Sequence, residues 1–316
     1  MFGLWDSAEC TYFLGVRVYG YGLYVMYGLA LAMLVVFLHG RKRFPSGGPA
    51  LMGCLMIPCG FVLSRLMYLL LDARARQWPL FRAFFMMTAG GTSMFGALFG
   101  AFIGLMAACR ILKLEKRQRL YAMDVFAIAA LAFAALSRMG EGFIEDYGIS
   151  FPLSGSAEGM FIINGEYADY LAVYKLESLY ALILFVFCEL RIRQKKPAGE
   201  TFFTAMLLFG AGQILFESFR KDGHMAFSFV GAQHIMAAMC LGGAVIYFAV
   251  RGRQAKALSN AAVMSLPLMT GILVGLEFAL DRTEVSRVLL YIIYVIVIAC
   301  PCVMSFVLMR RAQKAS

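Results

Sequence analysis

Apolar stretches long enough to cross a membrane recur along the whole chain, and they constrain its fold more than any other feature. An α-helix needs about 20 apolar residues to span the hydrocarbon core of a bilayer. The chain is 61% hydrophobic and only 15% charged, whereas a soluble domain is typically about 45–50% apolar. A membrane β-barrel would alternate apolar and polar residues in segments of roughly ten. That alternation is missing, so the sequence predicts an all-α, polytopic helical membrane protein.

Nine segments are predicted to span the membrane. They are 18–38, 49–71, 89–109, 121–139, 172–190, 201–218, 226–250, 258–280 and 288–308. If the N-terminus lies outside, the inner segments carry about twice as many lysines and arginines as the outer ones, which orients the C-terminus toward the cytoplasm. This bias also accounts for the net charge of +10. We therefore expect a lipid bilayer, and no nucleic acid, as the partner of the basic residues.

Charged side chains within the predicted spans need a reason, because each costs at least about 2.5–3.5 kcal/mol at the centre of a membrane helix. With the N-terminus outside, five of them are predicted to lie toward the outer leaflet: Arg65, Arg138, Glu177, Glu217 and Arg220. The spacing of Gln213, Glu217 and Arg220 places them on one helix face. Since the arginine fork matches a phosphate, the cluster could hold a phospholipid headgroup. The alternative is helix-to-helix pairing, such as Glu217 with Arg220, and snorkelling at helix ends.

The stretch SRMGEGFIEDYG follows the fourth predicted span and opens the only long predicted loop, 140–171. If the helix continues past Arg138, Glu141 lies one turn further and Glu145 another. Gly140 and Gly148 would let the backbone leave the helix and approach a ligand. A carboxylate beside an arginine at a membrane surface indicates a general base beside a phosphate clamp.

The third predicted span begins with unusually polar residues. Three later glycines recur every four residues, the spacing for close packing of membrane helices: Gly96, Gly100 and Gly104. The residues before them are Gly90, Gly91, Thr92 and Ser93. They are too polar for packing alone, so we predict that they line a cavity. The eight cysteines show no CxxC spacing, and the sequence indicates neither a metal site nor a cofactor.

Several short motifs between residues 15 and 250 occur in the order in which one bacterial family carries them. They are Tyr21-Gly22-Leu23, Arg65 with Tyr68, GGTSMFGA at 90–97, Asp124, the stretch from Arg138 to Gly148, Ser178-Leu179-Tyr180, QILFESFR with Glu217 and Arg220, and GAQ with Gln233. On these residues the chain resembles the prolipoprotein diacylglyceryl transferases.

The resemblance implies a reaction and its partners. In that family, the diacylglyceryl group of phosphatidylglycerol moves to the lipobox cysteine thiol of a prolipoprotein signal peptide, as the first step of lipoprotein maturation. The expected partners are therefore phosphatidylglycerol, the signal peptide and the bacterial cytoplasmic (inner) membrane. The alternative is a divergent paralogue that binds phospholipid, or transfers another lipid group to another acceptor, without the family activity.

The resemblance also implies site residues. The expected catalytic residues are Glu145, which falls on a family glutamate, Glu141 and Tyr21. The expected substrate-binding residues are Arg138, Arg220, Glu217, Gln213, Arg65, Gly140, Gly148 and Gln233. Arg138 and Arg220 would hold the leaving phosphate.

The chain departs from the family pattern at three polar positions. The family histidine falls at Phe95, an asparagine at Glu141 and an arginine at Gln213. The charge of Glu141 is therefore new, and we predict that Glu141 or Glu145 replaces the histidine as the base for the thiol. The alternative is that these acids form a structural cap on Arg138, and His234 is the next candidate for the base.

The length of the chain predicts a membrane domain followed by additional helices. The family usually has seven spans, so residues 1–250 are expected to form a diacylglyceryl-transferase-like membrane domain. Within it, 140–171 would be an extracytoplasmic loop. Residues 251–316 would add two further transmembrane helices.

Overall fold

A computed structural model defines the fold. The structure describes residues 10–13, 16–71, 79, 81, 84, 91–144, 148–153, 158–165, 167–194, 196–220, 226–227, 230–282 and 285–315. The chain divides into two compact units. The first contains residues 1–202 and 219–233, and the second contains 203–218 and 234–316.

Long helices account for most of the described chain, as predicted. They are α1 (Gly20–Gly40), α2 (Gly48–Leu71), α3 (Met94–Ile111), α4 (Lys116–Gly140), α5 (Val173–Arg193), α6 (Glu200–Phe219), α7 (Ala232–Arg251), α8 (Lys256–Arg282) and α9 (Arg287–Ala315). Each predicted span has its helix, and all but α5 are long and apolar enough to cross a membrane by length and composition. The α5 helix carries charged residues, among them Lys175 and Glu177. The fold class is therefore confirmed: an all-α, polytopic membrane protein.

Some helix bounds differ from the prediction for local reasons. The α3 helix begins at Met94 rather than residue 89, because the Ser93 side chain accepts the Gly96 N–H and caps it. The α4 helix begins five residues early, at Lys116, where Glu115 and Gln118 form a capping box. The α7 helix begins at Ala232 rather than residue 226, because a short hairpin precedes it.

Short strands lie between the helices. They are β1 (Cys10–Phe13), β2 (Val16–Tyr19), β3 (Ile149–Pro152), β4 (Ile162–Asn164), β5 (Asp169–Ala172), β6 (Ala226–Phe227) and β7 (Val230–Gly231). The β1–β2 and β6–β7 pairs are antiparallel hairpins, and the long loop forms an antiparallel sheet of order β3-β5-β4. The β5 strand leads directly into α5, so this sheet fixes where α5 begins.

In the first unit, α1 packs along α4 and α2 packs along α3. The three glycines predicted for close packing do pack: Cβ atoms on Gly96, Gly100 and Gly104 would clash with the α2 backbone. Gly28 of α1 similarly faces the carbonyl of Phe133 on α4. The helices of each pair are therefore held close together, whereas α1 contacts α2 much less extensively.

In the second unit, α8 packs along α9, and Gly210 of α6 lies against the α7 backbone near Ala237 and Leu241. Phe203 stacks on Tyr247 with ring centroids 3.6 Å apart. The Tyr294 hydroxyl of α9 donates to the Ile214 carbonyl of α6 at 3.4 Å, so the two helix pairs contact each other.

Candidate functional site

A long cavity runs between α1, α2, α3 and α4. Its volume is about 320 Å³. Along α1 it extends from Tyr21 to Met33, which is about 18 Å at about 1.5 Å per helical residue. This length is comparable to the ~15 Å of hydrocarbon in one bilayer leaflet. Its long part is apolar, with Leu29, Met56 and Phe126 in the wall.

The other end of the cavity is polar. Seven of the residues that line it there have polar or charged side chains: Tyr21, Ser64, Thr92, Ser93, Ser137, Arg138 and Glu141. The prediction that Thr92 and Ser93 line a cavity is thus confirmed, while Gly90 lies outside the described residues. The cavity therefore has the shape and polarity of a slot for a molecule with an apolar tail and a polar head.

Two arginines and two glutamates form a closed set of ion pairs at the polar end, which we call the ion ring (Arg138, Glu141, Glu177 and Arg220). Arg138 pairs with Glu141 through Nη1, and its Nε lies 2.7 Å from Glu177 Oε2. Arg220 Nη2 lies 3.1 Å from Glu141 Oε2, and Arg220 Nη1 lies 3.3 Å from Glu177 Oε2. Each arginine therefore contacts both carboxylates.

The ion ring is buried and balanced in charge. Glu177 is 0% exposed, and the other three members are at most 7% exposed. Arg138 also donates from Nη2 to Gln233 Oε1 at 3.1 Å. Charge-assisted pairs of this kind are about twice as strong as neutral hydrogen bonds. A buried ring of two cations and two anions satisfies its own charges, so it can exist away from water.

Local geometry explains how these residues meet. The α4 helix ends at Gly140, where a Cβ would lie 2.8 Å from Tyr24 Cβ, so α1 can approach only because this residue is glycine. A 3₁₀ turn, Glu141–Phe143, then carries Glu141 back toward Arg138. Gly148 has φ +69°, and a Cβ there would lie 2.9 Å from Glu141 Oε2. Gly140 therefore makes room for α1, and Gly148 makes room for Glu141 of the ion ring.

The sheet brings the remaining members to the ion ring. The Tyr174 N–H donates to the Gly148 carbonyl at 3.0 Å, which ties the start of α5 to the loop. Glu177 follows on the next turn of α5. Arg220 lies one residue beyond the end of α6 and forms a β-bridge with Ser150 of β3. The ring is thus built where four separate segments converge.

Two predicted site residues, Tyr21 and Arg65, are not members of the ion ring. The Tyr21 side chain hydrogen-bonds to Thr92 and lies within electrostatic range of Arg138 and Glu141. Arg65 is buried and donates to the carbonyl of Gly91, at the turn before α3. This contact gives Arg65 a structural role, because it holds the turn that presents Thr92 to the cavity.

The structure brings together part of the set of eleven residues predicted for the site. Five of them lie in or against the ion ring: Arg138, Glu141, Arg220, Gln233 and Gly148. The α4 helix continues past Arg138 only to Gly140, and the 3₁₀ turn that follows carries Glu141. Glu145 itself lies outside the described residues. Arg220 does not share the α6 helix face, because it follows the last residue of that helix.

The other predicted residues lie in the second unit. Gln213, which is buried, and Glu217 are on α6. His234, the reserve candidate for the base, lies 3.5 Å from Glu277 Oε1 and 3.4 Å from the Tyr294 hydroxyl. The Tyr294 hydroxyl donates to Glu277 at 2.9 Å. His234 thus belongs to a hydrogen-bonded network with α8 and α9.

Sequence reasoning places Glu177 in the charged cluster but assigns it no role in the site. In the structure, Glu177 has no measurable exposure and contacts both arginines of the ion ring. The signal was present, because a glutamate inside a membrane helix requires a cationic partner. What the sequence alone could not show was that one glutamate would serve two arginines.

The site has the chemistry to recognise an amphiphile. Arg138 at the end of the apolar slot, with Arg220 joined to it through Glu141, can hold a phosphate while the slot holds an apolar chain. The fold and the site together define a membrane protein that handles lipids with an anionic head.

Comparison with known proteins agrees with that class. The sequence model of the prolipoprotein diacylglyceryl transferase family matches residues 10–249. The chain is 28% identical to a phosphatidylglycerol–prolipoprotein diacylglyceryl transferase of Staphylococcus carnosus over 229 residues, 66% of this chain and 78% of that protein. It is 25% identical to proteins of the same name from Symbiobacterium thermophilum (69% of this chain, 83% of that protein) and Halalkalibacterium halodurans (77% and 85%).

The chain therefore belongs to the prolipoprotein diacylglyceryl transferase family, and it is a multi-pass membrane transferase of lipoprotein biosynthesis. The resemblance drawn from the sequence motifs is confirmed. The helices α8 and α9 follow the matched residues.

Proposed function

We propose that this protein transfers the diacylglyceryl group of phosphatidylglycerol to the lipobox cysteine thiol of prolipoproteins, the first step of lipoprotein maturation. One observation carries the proposal: Arg138 lines the polar end of an apolar cavity, and Arg220 is joined to it through Glu141, which also lines the cavity. The names of the relatives supply the donor and the acceptor class.

The donor fits the site in a definite orientation. An acyl chain of phosphatidylglycerol lies in the cavity between α1 and α4, and its phosphodiester faces Arg138. Arg220 completes the clamp through the carboxylates that the two arginines share. Gln233 holds Arg138 in orientation, and Tyr21 with Thr92 borders the headgroup. Gln213 and Glu217 of α6, which lie in the second unit, remain predicted binding residues from the family pattern.

The reaction is a displacement at the glycerol carbon that carries the phosphate. The cysteine thiol loses its proton, since the thiolate is the nucleophile. Its sulfur forms a C–S bond, the C–O bond to the phosphate breaks, and the electron pair leaves with glycerol phosphate. Arg138 and Arg220 stabilise the negative charge that develops on the departing phosphate.

The base is a carboxylate of the stretch from Ser137 to Gly148. Glu141 is at the cavity, and Glu145 is the second candidate from the family pattern. The rival role, a structural cap on Arg138, is compatible with the ion pairs that Glu141 makes. Phe95, where the family histidine falls, is buried in α3 and supplies no titratable group.

We further propose the placement of the chain in the bacterial cytoplasmic membrane. The excess of basic residues puts the N-terminus outside and the C-terminus in the cytoplasm. The β3-β5-β4 sheet and the ion ring then lie on the outer side, where lipoprotein precursors emerge. Residues 1–250 would form the transferase domain and α8 with α9 an addition to it.

The experiment that tests this function uses the purified protein in vesicles. One set contains phosphatidylglycerol in phosphatidylcholine, and the other set contains phosphatidylethanolamine instead. A lipobox peptide is added, and its mass is measured. We expect a diacylglyceryl adduct only with phosphatidylglycerol and only when the peptide retains its cysteine; the matched peptide has serine. An adduct formed from phosphatidylethanolamine alone would show a different donor, and no adduct in either set would refute the proposal.

A further inference from the structure

The two carboxylates of the ion ring differ in their surroundings. Glu177 is 0% exposed, lies within a regular helix and contacts both arginines. Glu141 lines the cavity, and it sits in a single 3₁₀ turn after the end of α4. A ligand that enters along the cavity therefore meets Glu141, whereas Glu177 lies behind the arginines.

The charge of the ion ring sets a condition on phosphate binding. Two arginines and two glutamates have no net charge, and their mutual contacts use the donors that a phosphate would need. A phosphodiester carries one negative charge. Adding it to a closed, buried ring would leave an uncompensated anion, which is strongly unfavourable at low dielectric. One carboxylate must therefore give up its arginine contacts, and it must then lose its charge.

We propose that Glu177 is the permanent anchor of both arginines and that Glu141 is their exchangeable counter-ion, which the lipid phosphate displaces and which then accepts the thiol proton. The proposal rests on the proposed function, because it takes the phosphate of the diacylglyceryl donor as the displacing group. Donor binding thus frees Glu141 to act as the base. Glu141 caps the arginines before the donor binds and serves as the base afterwards.

The steps balance in atoms and charge. The phosphodiester takes the place of the Glu141 carboxylate on Arg138 and Arg220. The displaced carboxylate takes the proton of the cysteine thiol, which gives a neutral acid and a thiolate. The thiolate forms the C–S bond and the C–O bond breaks, so glycerol phosphate leaves as a monoester. Glu141 gives its proton to that monoester, and the carboxylate returns to the arginines as the product departs.

The backbone around Glu141 suits an exchange. Glu141 is flanked by Gly140 and Gly142, whose backbones can adopt conformations that other residues avoid, so the short 3₁₀ turn can change conformation. Gly148, at φ +69°, leaves open the space beside Glu141 Oε2. Glu177 has no such freedom, because the sheet and the Tyr174–Gly148 hydrogen bond fix the first turn of α5.

The test compares Glu141→Gln with Glu177→Gln, because each removes one negative charge from the ion ring. The matched control is Glu189→Gln, which removes the charge of a glutamate paired with Arg193 and His39 outside the ring. For each protein in phosphatidylcholine nanodiscs, the binding of phosphatidylglycerol is titrated by native mass spectrometry. The rate of transfer to the lipobox peptide is measured in parallel.

The exchange predicts effects of opposite sign. Glu141→Gln should tighten phosphatidylglycerol binding by roughly tenfold, because the phosphate no longer displaces a carboxylate from its charged hydrogen bonds. The same change should lower kcat by about 10²–10⁴-fold, as for a lost general base. Glu177→Gln should weaken binding, because both arginines lose their anchor. Glu189→Gln should match the wild type.

Other outcomes overturn the exchange. If both variants tighten binding, the ion ring acts through its net charge alone. If both weaken it, Glu141 is a structural cap. The folded fraction of each variant is measured by thermal unfolding, and Glu141→Asp, which keeps the carboxylate, should retain measurable turnover even where Glu141→Gln is unstable. A wild type that neither binds nor transfers from phosphatidylglycerol would refute the proposed function itself, whereas the two-variant comparison concerns only the exchange.

Discussion

The two ends of α4 each bury a charged residue, and they differ in what those residues contact. At the first end, Asp124 accepts the N–H groups of Gly199 and Phe202 at 2.7 and 2.8 Å. It thereby caps the start of α6. At the other end, Arg138 contacts the side chains of Glu141, Glu177 and Gln233.

The difference lies in the partners and in the space beside them. The partners of Asp124 are backbone groups at a helix start, which have no alternative arrangement without loss of the helix. The partners of Arg138 are side chains, and Arg138 and Glu141 face an open cavity. Both residues resemble positions of the same family, so the motif alone does not separate them. Buried charge indicates a functional site only where its partners are exchangeable and a ligand can reach it.

The largest expected effect is at the cavity end. Arg138→Lys keeps the charge but loses the fork that holds Glu141, Glu177 and Gln233 at once. We expect kcat/KM for transfer to fall by roughly 10²–10³-fold, the usual cost of a lost donor to a developing anion. Transfer from phosphatidylglycerol vesicles to the lipobox peptide measures this.

The control for that variant is Arg193→Lys. Arg193 also pairs with a glutamate, but its side chain is exposed, so the activity should be unchanged. Unaltered transfer by Arg138→Lys would mean that Arg138 only neutralises the buried acids.

The next effect is on stability at the opposite end. Asp124→Asn leaves one oxygen to accept two backbone N–H groups, so we expect the free energy of unfolding to fall by about 1–3 kcal/mol. Thermal unfolding in nanodiscs should show a lower Tm, with transfer per folded molecule unchanged. A variant of normal Tm with reduced transfer would place Asp124 in the reaction and end the contrast between the two ends.

A smaller effect, from alanine substitutions at two glycines, separates backbone strain from contact with the ion ring. Gly148 and Gly47 both have positive φ, +69° and +75°, and a Cβ meets Glu141 only at Gly148. Alanine at either position should cost about 1–2 kcal/mol of stability through the left-handed backbone. At Gly148 the close approach of a Cβ to Tyr174 Cβ, 2.9 Å away, adds to that cost. Only Gly148→Ala should also slow transfer. Equal activity of the two variants would indicate that Glu141 does not need the space beside Gly148.

The membrane helices could be predicted because each carries its own signal, a long apolar run. The exact ends of the helices could not be predicted, because a few residues decide where each helix begins. The Ser93 cap shortens α3, and the β6–β7 hairpin delays α7. Neither is visible in hydrophobicity, since both segments adjoin apolar sequence.

Several residues of the site could be predicted from the sequence, but the ion pairs that they form could not. Helical spacing indicates partners three or four residues away, and it suggested Glu217 for Arg220. The structure pairs Arg220 with Glu177 and Glu141, which lie on other segments. Such pairs depend on how the β3-β5-β4 sheet sets the start of α5 against the end of α4. No local pattern in the sequence encodes that arrangement.

The central claim is that the ion ring at the end of the cavity is the site of transfer to lipoprotein precursors. A bacterial strain depleted of its own prolipoprotein diacylglyceryl transferase tests it most directly, with wild type and Arg138→Lys produced at equal, membrane-inserted levels. The account predicts that wild type restores lipidation of the precursors, seen as their mass shift, and that Arg138→Lys does not. Failure of the inserted wild type, or full lipidation by Arg138→Lys, would contradict it.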